Sequence, residues 1–274
     1  RPRPFPGVEF DGKTIITSKE AMSLEKQPRA MLIIGAGAIG LEFGYFYNAV
    51  GTKVTVVEMQ DHVLPIEDEE VSDTLKKSLT AKGLEIFTSS KTTKLVKTAN
   101  GVKAEIETPQ GKKTIEADVA LVAIGVTGNV EGLFAPDVKV EIDRGHIKVA
   151  RDNGFVTNVP SIYAVGDVIG PPWLAHVAHH EAVYCVERIA GRSKHNVDYS
   201  IIPGCTYTEP GVASVGLTEK AAREAGHEIR IGKFPFQFSG RALAAGESEG
   251  FVKLIFGKKY GELLGAHIIG AAAT

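Results

Sequence analysis

The sequence predicts an α/β fold: a doubly wound parallel sheet, an antiparallel meander set into it, and a smaller α+β segment at the end. Three observations predict it. Apolar strand patterns alternate with helical ones from Ala30 to Ser89, short strands of alternating polarity fill Thr93 to Asp118, and three strand patterns follow one another beyond residue 199. Strand–helix alternation implies parallel pairing, whereas strands in direct succession imply antiparallel pairing.

Residues 1–28 read as a polar, proline-rich lead-in. AMLIIGAG, residues 30–37, is a wholly apolar strand, and the helical stretch AIGLEFGYFYNAV ends at Gly51, a suitable C-terminal cap. TKVTVVE is the second strand. EDEEVSDTLKKSLTAKG follows as an amphipathic helix with Val71, Leu75 and Leu79 on one face and carboxylates in its first turn. LEIFTS is the third strand. The meander turns at Asn100-Gly101 and Gln110-Gly111, and Asn-Gly suits a tight hairpin because both residues tolerate positive φ. VALVAIG returns to the buried-strand pattern, SIYAVGD reads as a short strand, and HVAHHEAVYCVERIAG as a helix closed by Gly191. TEKAAREAG is a helix capped by Thr218. EIRIGKFPFQF, GFVKLIF and GELLGAHIIG complete the chain as strands, the Phe234–Phe238 alternation forming one buried face and Lys259-Tyr260-Gly261 a turn.

The 274 residues, 43% hydrophobic and 23% charged, suffice for about two domains with a real core. A net charge of −2 gives no electrostatic case for nucleic acid or an acidic membrane, and no apolar run reaches a spanning length. The two cysteines, Cys185 and Cys205, have no CxxC spacing, which argues against a disulfide scaffold or cysteine zinc site and suits a reducing, cytoplasmic setting. His176, His179 and His180 stand close together at a helix start, but no acidic or cysteine ligand completes a metal set.

The chemistry concentrates at Gly35-Ala-Gly37-Ala38-Ile39-Gly40, between a strand and a helix. The first glycine permits a tight turn, the second lets a pyrophosphate approach the backbone, and the third lets the helix pack closely on the sheet. Free N–H groups at the helix start then face the phosphate charge. Glu58 ends the next strand, where a carboxylate accepts hydrogen bonds from the adenosine ribose hydroxyls. A 2′-phosphate would press against that carboxylate, and Met59-Gln60-Asp61 offer no arginine to receive it. The expected cofactor is NAD, bound by a Rossmann-type domain.

SIYAVGDV, residues 161–168, resembles the second flavin-binding motif of the two-dinucleotide-domain flavoproteins, and VALVAIGVTGN resembles the companion segment that closes their NAD domain. PPWLAHVAHHEAVYCVERIAG, IPGCTYTEPGVASVGLTE and GKFPFQFSGRALA narrow the resemblance to the dihydrolipoamide dehydrogenases of the pyridine nucleotide-disulfide oxidoreductase family. It extends from the first residues to the last. Two departures stand out: GVTGN replaces a more basic, proline-bearing loop, and Trp173 stands where methionine is usual. The resemblance implies that Gly35, Gly37, Ala38, Ile39, Gly40, Glu42, Glu58, Thr92 and Gly125 line the NAD site, with Glu42 near the nicotinamide ring. It implies that Asp167 meets the ribityl chain of FAD and that Trp173, Leu174, Ala175 and His176 touch the flavin.

The same resemblance implies a division into an NAD-binding domain (1–126), a central segment completing an FAD-binding domain (127–198) and part of an interface domain (199–274). It implies a homodimeric whole enzyme serving the lipoyl domains of 2-oxo acid dehydrogenase complexes. The family's redox dithiol, first FAD glycine loop and C-terminal His–Glu pair have no counterpart among these residues, so a fragment without catalytic residues of its own is expected. Two other readings remain at this point, a non-catalytic NAD-binding module and a different family enzyme such as a soluble transhydrogenase or mercuric-type reductase.

Overall fold

The chain from Ile15 to Val122 lays down eight strands: β1 (Ile15–Ile16), β2 (Ala30–Ile34), β3 (Lys53–Val57), β4 (Glu85–Phe87), β5 (Lys91–Thr98), β6 (Gly101–Thr108), β7 (Gly111–Ala117) and β8 (Val119–Val122). Five of them form a parallel sheet in the order β1-β8-β2-β3-β4, and β5-β6-β7 form the antiparallel meander. The computed structural model describes residues 1–192 and 195–274.

Period-two alternation along β2 explains the layers. Leu32 and Ile34 point into the core shared with Leu95, Val102 and Ile106 of the meander. Met31 and Ile33 point the other way, into the core shared with the helices α2 (Ala38–Ala49) and α3 (Glu69–Ala81). The expected face of α3 is fully buried at Val71, Leu75 and Leu79, and Asp68 caps its first turn by accepting the Glu70 N–H at 3.2 Å.

The first residues differ from a featureless lead-in. Ile15 and Ile16 pair in parallel with Ala120 and Leu121, and a short helix, α1 (Ser18–Ala21), follows with a Thr17–Glu20 capping box. Proline-rich composition masks a strand this short. The hairpins also shift by one residue: Thr98 pairs with Gly101 and Thr108 with Gly111, leaving Ala99-Asn100 and Pro109-Gln110 at the tips. Gly101 needs its missing side chain for close approach, since a Cβ there would lie 2.2 Å from the Ala117 carbonyl oxygen.

A second stretch carries the hairpin β9 (Ile142–Asp143) and β10 (His146–Ile147) and the helix α4 (Ala175–Ile189), around a core of Phe155, Ile169, Tyr184 and Cys185. SIYAVGD is not a strand here. Ser161 and Gly166 take φ of +77° and +74°, Tyr163 makes one bridge to Val156, and Gly166–Ile169 form a single 3₁₀ turn. Positive φ twice within six residues breaks an extended run whatever its hydrophobicity.

The C-terminal stretch holds β11 (Gly204–Thr206), β12 (Gly211–Gly216), α5 (Glu219–Glu224), β13 (Ile229–Pro235), α6 (Gly240–Ala245), β14 (Gly250–Gly257) and β15 (Leu263–Gly270). Its sheet is antiparallel throughout, ordered β11-β12-β15-β14-β13. β13 stops at Pro235, where the backbone has no N–H to continue the ladder, and a 3₁₀ turn covers Phe236–Phe238. Phe234 and Phe238 are therefore 51% and 67% exposed rather than one buried face. The described residues divide into two compact units, Val126–Ile202 with Arg1, and Pro2–Gly125 with Pro203–Thr274. No helix among the described residues is long and apolar enough to cross a membrane.

Candidate functional site

In the larger unit, β2 runs straight into the glycine loop, where Gly35, Gly40 and Gly44 each have a separate steric reason. Gly35 turns at φ +105°, and a Cβ there would sit 2.4 Å from the Ala123 carbonyl oxygen. Gly40 packs so closely that a Cβ would come within 2.0 Å of the Gly35 carbonyl oxygen. Gly44, one turn on, rests against Leu84 and Ile33. Gly37 is different: it is the N-cap of α2, with extended backbone, and nothing lies within 4 Å of where its Cβ would be. The fold does not require glycine at Gly37. The first turn of α2 carries no acidic residue and no side-chain cap, so its N-terminal positive potential is not neutralised locally. Ala38 is half-buried in that turn, while Ile39 is 39% exposed.

Glu58 closes the loop from the side. It is buried, with one carboxylate oxygen accepting the Ala36 N–H at 2.7 Å and the other the Gln60 N–H at 2.8 Å. The carboxylate thus braces the glycine loop as well as its own turn, a dual role that sequence spacing did not reveal. The Glu58 backbone accepts from Ser90 N–H at 2.8 Å, which brings the β4–β5 connection beside it. Thr92, two residues on, is buried, and its hydroxyl has no hydrogen-bond partner among the described residues. Gly125, just beyond β8, adopts φ +104° with open space at its Cβ position. Gly35, Glu58 and Gly125 therefore follow the carboxyl ends of β2, β3 and β8. These are the carboxyl ends of three adjacent parallel strands, the end of an open α/β sheet at which ligands bind. Glu42, on α2, accepts the Tyr207 N–H at 2.8 Å.

The remaining candidates lie in the other unit. Asp167 is exposed on the Gly166–Ile169 turn, and Trp173 is 38% exposed with its ring 5.9 Å from that of His146. Leu174 is the N-cap of α4, and Ala175 and His176 open that helix at the surface. His179 and His180 are exposed, and no group of three metal-ligating side chains is assembled among the described residues. Cys185 is buried, which pushes its thiol above the ordinary value, while Cys205 is exposed on β11.

Residues 1–182 match the pyridine nucleotide-disulphide oxidoreductase family, and residues 202–274 match the dimerisation domain of the same proteins. The chain belongs to that family. Curated members similar to it include the dihydrolipoyl dehydrogenases of Rhizobium etli, 50% identical across the whole chain, and of Chlorobaculum tepidum, 45% identical across the whole chain. The chain spans 57% and 58% of their respective lengths. Among solved structures, LpdA of Mycobacterium tuberculosis superposes with a TM-score of 0.87 over 98% of this chain and 58% of its own, at 28% identity. A flavoprotein disulfide reductase of Escherichia coli shares the fold, with a TM-score of 0.85 over 94% of this chain and 58% of its own, at 24% identity. The α/β architecture with its C-terminal antiparallel sheet is the architecture of this family.

Proposed function

We propose that this chain is part of a dihydrolipoamide dehydrogenase, an oxidoreductase passing electrons from dihydrolipoamide through a dithiol and FAD to NAD. The observation that carries the reading is the buried Glu58 carboxylate hydrogen-bonded to Ala36 N–H inside the glycine loop. The uncapped start of α2 suits a pyrophosphate, and the Glu58 carboxylate to its side suits an adenosine ribose without a 2′-phosphate. The whole-length likeness to dihydrolipoyl dehydrogenases supports the same reading.

NAD, when bound, supplies a hydride acceptor. In the proposed site, N–H groups of Gly37, Ala38, Ile39 and Gly40 face its phosphates, and Gly37 admits them by having no side chain. Glu58 meets the ribose hydroxyls through the lone pairs that Ala36 and Gln60 leave free. Thr92 and Gly125 border the adenine and ribose side, and Glu42 stands toward the nicotinamide. The orphaned Thr92 hydroxyl and the open surface at Gly37 both fit an incoming polar ligand. Asp167 and the run Trp173, Leu174, Ala175 and His176 are assigned to FAD, an exposed carboxylate and an uncapped helix start fitting a ribityl chain and ring.

In this reading residues 1–126 bind NAD, 127–198 contribute to FAD binding, and 199–274 belong to the interface of a homodimer. The whole enzyme acts on lipoyl domains of 2-oxo acid dehydrogenase complexes, in the cytoplasm. Titration by NADH fluorescence tests the nucleotide assignment. NADH binds more tightly than NADPH, and Glu58→Ala narrows that gap by on the order of tenfold, the loss of one hydrogen bond to a charged acceptor. Equal affinity for both nucleotides in the unsubstituted chain would refute it.

A further inference from the structure

The unit that carries Asp167 contains a second, hidden carboxylate at the same turn. Glu181, on α4, is 2% exposed, and both its oxygens are engaged. One accepts the Gly166 N–H at 2.7 Å and the other the Tyr199 hydroxyl at 2.5 Å. Gly166 has φ +74°, and a Cβ there would approach the Ala178 Cβ to 3.1 Å, so α4 lies directly against the turn. Asp167, the next residue, is exposed. The two carboxylates are thus divided by environment, one sealed behind the turn and the other offered in front of it.

We propose that Glu181 is a positioning residue, a buried carboxylate that fixes the Gly166–Asp167 turn and so sets the direction in which Asp167 is presented. The inference rests on the assignment of Asp167 to FAD only for what Asp167 is presented to.

An unbraced turn of this kind would not hold. A buried carboxylate is retained only when its lone pairs are satisfied, and a backbone N–H turned inward needs an acceptor. Glu181 meets both demands at once. Tyr199 keeps the carboxylate from swinging away, and Tyr199 is itself held: the Arg151 guanidinium lies 4.6 Å from its ring centroid. Arg151 also donates to the Pro171 carbonyl oxygen at 2.9 Å, two residues before Trp173. One chain of contacts therefore anchors the Asp167 turn and the approach to the start of α4. Burial and the Glu181 carboxylate together push the Tyr199 phenol well above its ordinary value.

Amide hydrogen exchange and tyrosine titration by NMR on this chain test the inference. In the unsubstituted protein the Gly166 amide exchanges slowly although it belongs to no α-helix or β-strand, and Tyr199 ionises above the ordinary phenol value. Free exchange at Gly166 there overturns the proposal, without relying on any variant to fold. In Glu181→Leu, which leaves no acceptor, Gly166 protection falls on the order of tenfold or more and Tyr199 titrates lower, whereas Glu181→Gln, with one acceptor oxygen for the Gly166 N–H and an amide that donates to the phenol, keeps most of that protection. Tyr199→Phe keeps most of the Gly166 protection, and Asp167→Asn keeps all of it. Unchanged Gly166 exchange in a folded Glu181→Leu overturns the positioning role. Titration with FAD, followed by the Asp167 amide shift, separates the two assignments. Lost Gly166 protection in Glu181→Leu upholds the role of Glu181 whatever the FAD titration gives, and a shift of the Asp167 amide with FAD supports FAD as what Asp167 faces.

Discussion

Lys253 and Asp68 form a buried ion pair, the Nζ atom lying 2.9 and 3.1 Å from the two carboxylate oxygens with both side chains almost wholly enclosed. Glu219 adds a third contact to Nζ at 2.8 Å, and Asp68 also accepts N–H groups from Glu70 and Glu219. One carboxylate thus caps α3, receives the first turn of α5 and neutralises a cation on β14. Burial pushes the Asp68 carboxyl up, but the Lys253 ammonium and the Glu219 N–H outweigh it and hold the group below its ordinary value.

Removing one partner leaves the other charged and sealed from water. Lys253→Met is expected to destabilise the chain by about 3–5 kcal/mol, and Lys253→Met with Asp68→Asn by clearly less, since no unpaired charge remains. Urea unfolding of the single and double variants checks this. A double variant as unstable as the single would show that packing, and not the unpaired charge, sets the cost.

The neighbouring carboxylate carries the opposite pH dependence. Glu67 is buried, accepts the Ser214 hydroxyl at 3.0 Å with one oxygen and leaves the other unpartnered among the described residues. Burial raises its pKa, only partly offset by Ser214 and His267. A raised folded value means that the stability from protonated Glu67 is complete below the ordinary carboxylate range and is lost as pH rises through the folded value. Asp68 and Asp11, both lowered, act the other way, losing their contribution as pH falls. Glu67→Gln keeps an acceptor for Ser214 and abolishes the titration. The variant should gain on the parent as pH rises above the ordinary carboxylate range, seen as a stability difference that grows with pH in parallel urea curves. A difference independent of pH would mean that folding leaves the Glu67 pKa where it stands in the unfolded chain.

These buried groups explain where the sequence was and was not legible. The helix-and-strand grammar of the parallel sheet was readable because burial imposes period two on β2 and period 3.6 on α3. The glycine loop was readable because Gly35 and Gly40 answer steric demands of the fold and Gly37, which the fold does not require, completes the spacing. Lys253 and His267 sit at core positions of β14 and β15, directly opposite one another, flanked by Phe251 and Ile255 and by Gly265 and Ile269. A lysine and a histidine at period-two core positions were the available signal. Their partners, 185 residues away in the case of Lys253 and Asp68, left no local trace. Glu181 and the second hydrogen bond of Glu58 were hidden for the same reason, since both depend on contacts between elements.

The two cysteines lead to a prediction about catalysis. Cys185 is buried with its thiol raised, which withholds the ready thiolate formation that a dithiol centre needs, and Cys205 is exposed on β11. The chain on its own, with FAD and NAD in excess, should form NADH from dihydrolipoamide at the buffer rate. Turnover that disappears in Cys185→Ser or Cys205→Ser would make one of them a redox centre.

The glycine loop permits the sharpest separation of binding from folding. At Gly40 a Cβ would meet the Gly35 carbonyl oxygen at 2.0 Å, while at Gly37 it would meet nothing within 4 Å. Alanine normally favours a helix interior over glycine by up to about 1 kcal/mol, so Gly40→Ala sets that gain against a clash with backbone that cannot step aside. Overpacking of this kind costs about 1–3 kcal/mol, and Gly40→Ala is expected to lower the unfolding midpoint. Gly37 has φ −73° and extended ψ, a conformation alanine adopts freely, so Gly37→Ala should leave stability within about 0.5 kcal/mol of the parent. If the pyrophosphate approaches the backbone there, the new methyl group occupies its place, and NADH affinity should fall on the order of tenfold or more. Thermal unfolding and NADH titration on both variants decide the matter together. A stable Gly37→Ala that binds NADH as tightly as the parent would place the phosphates elsewhere, and the role assigned to the start of α2 would have to be given up.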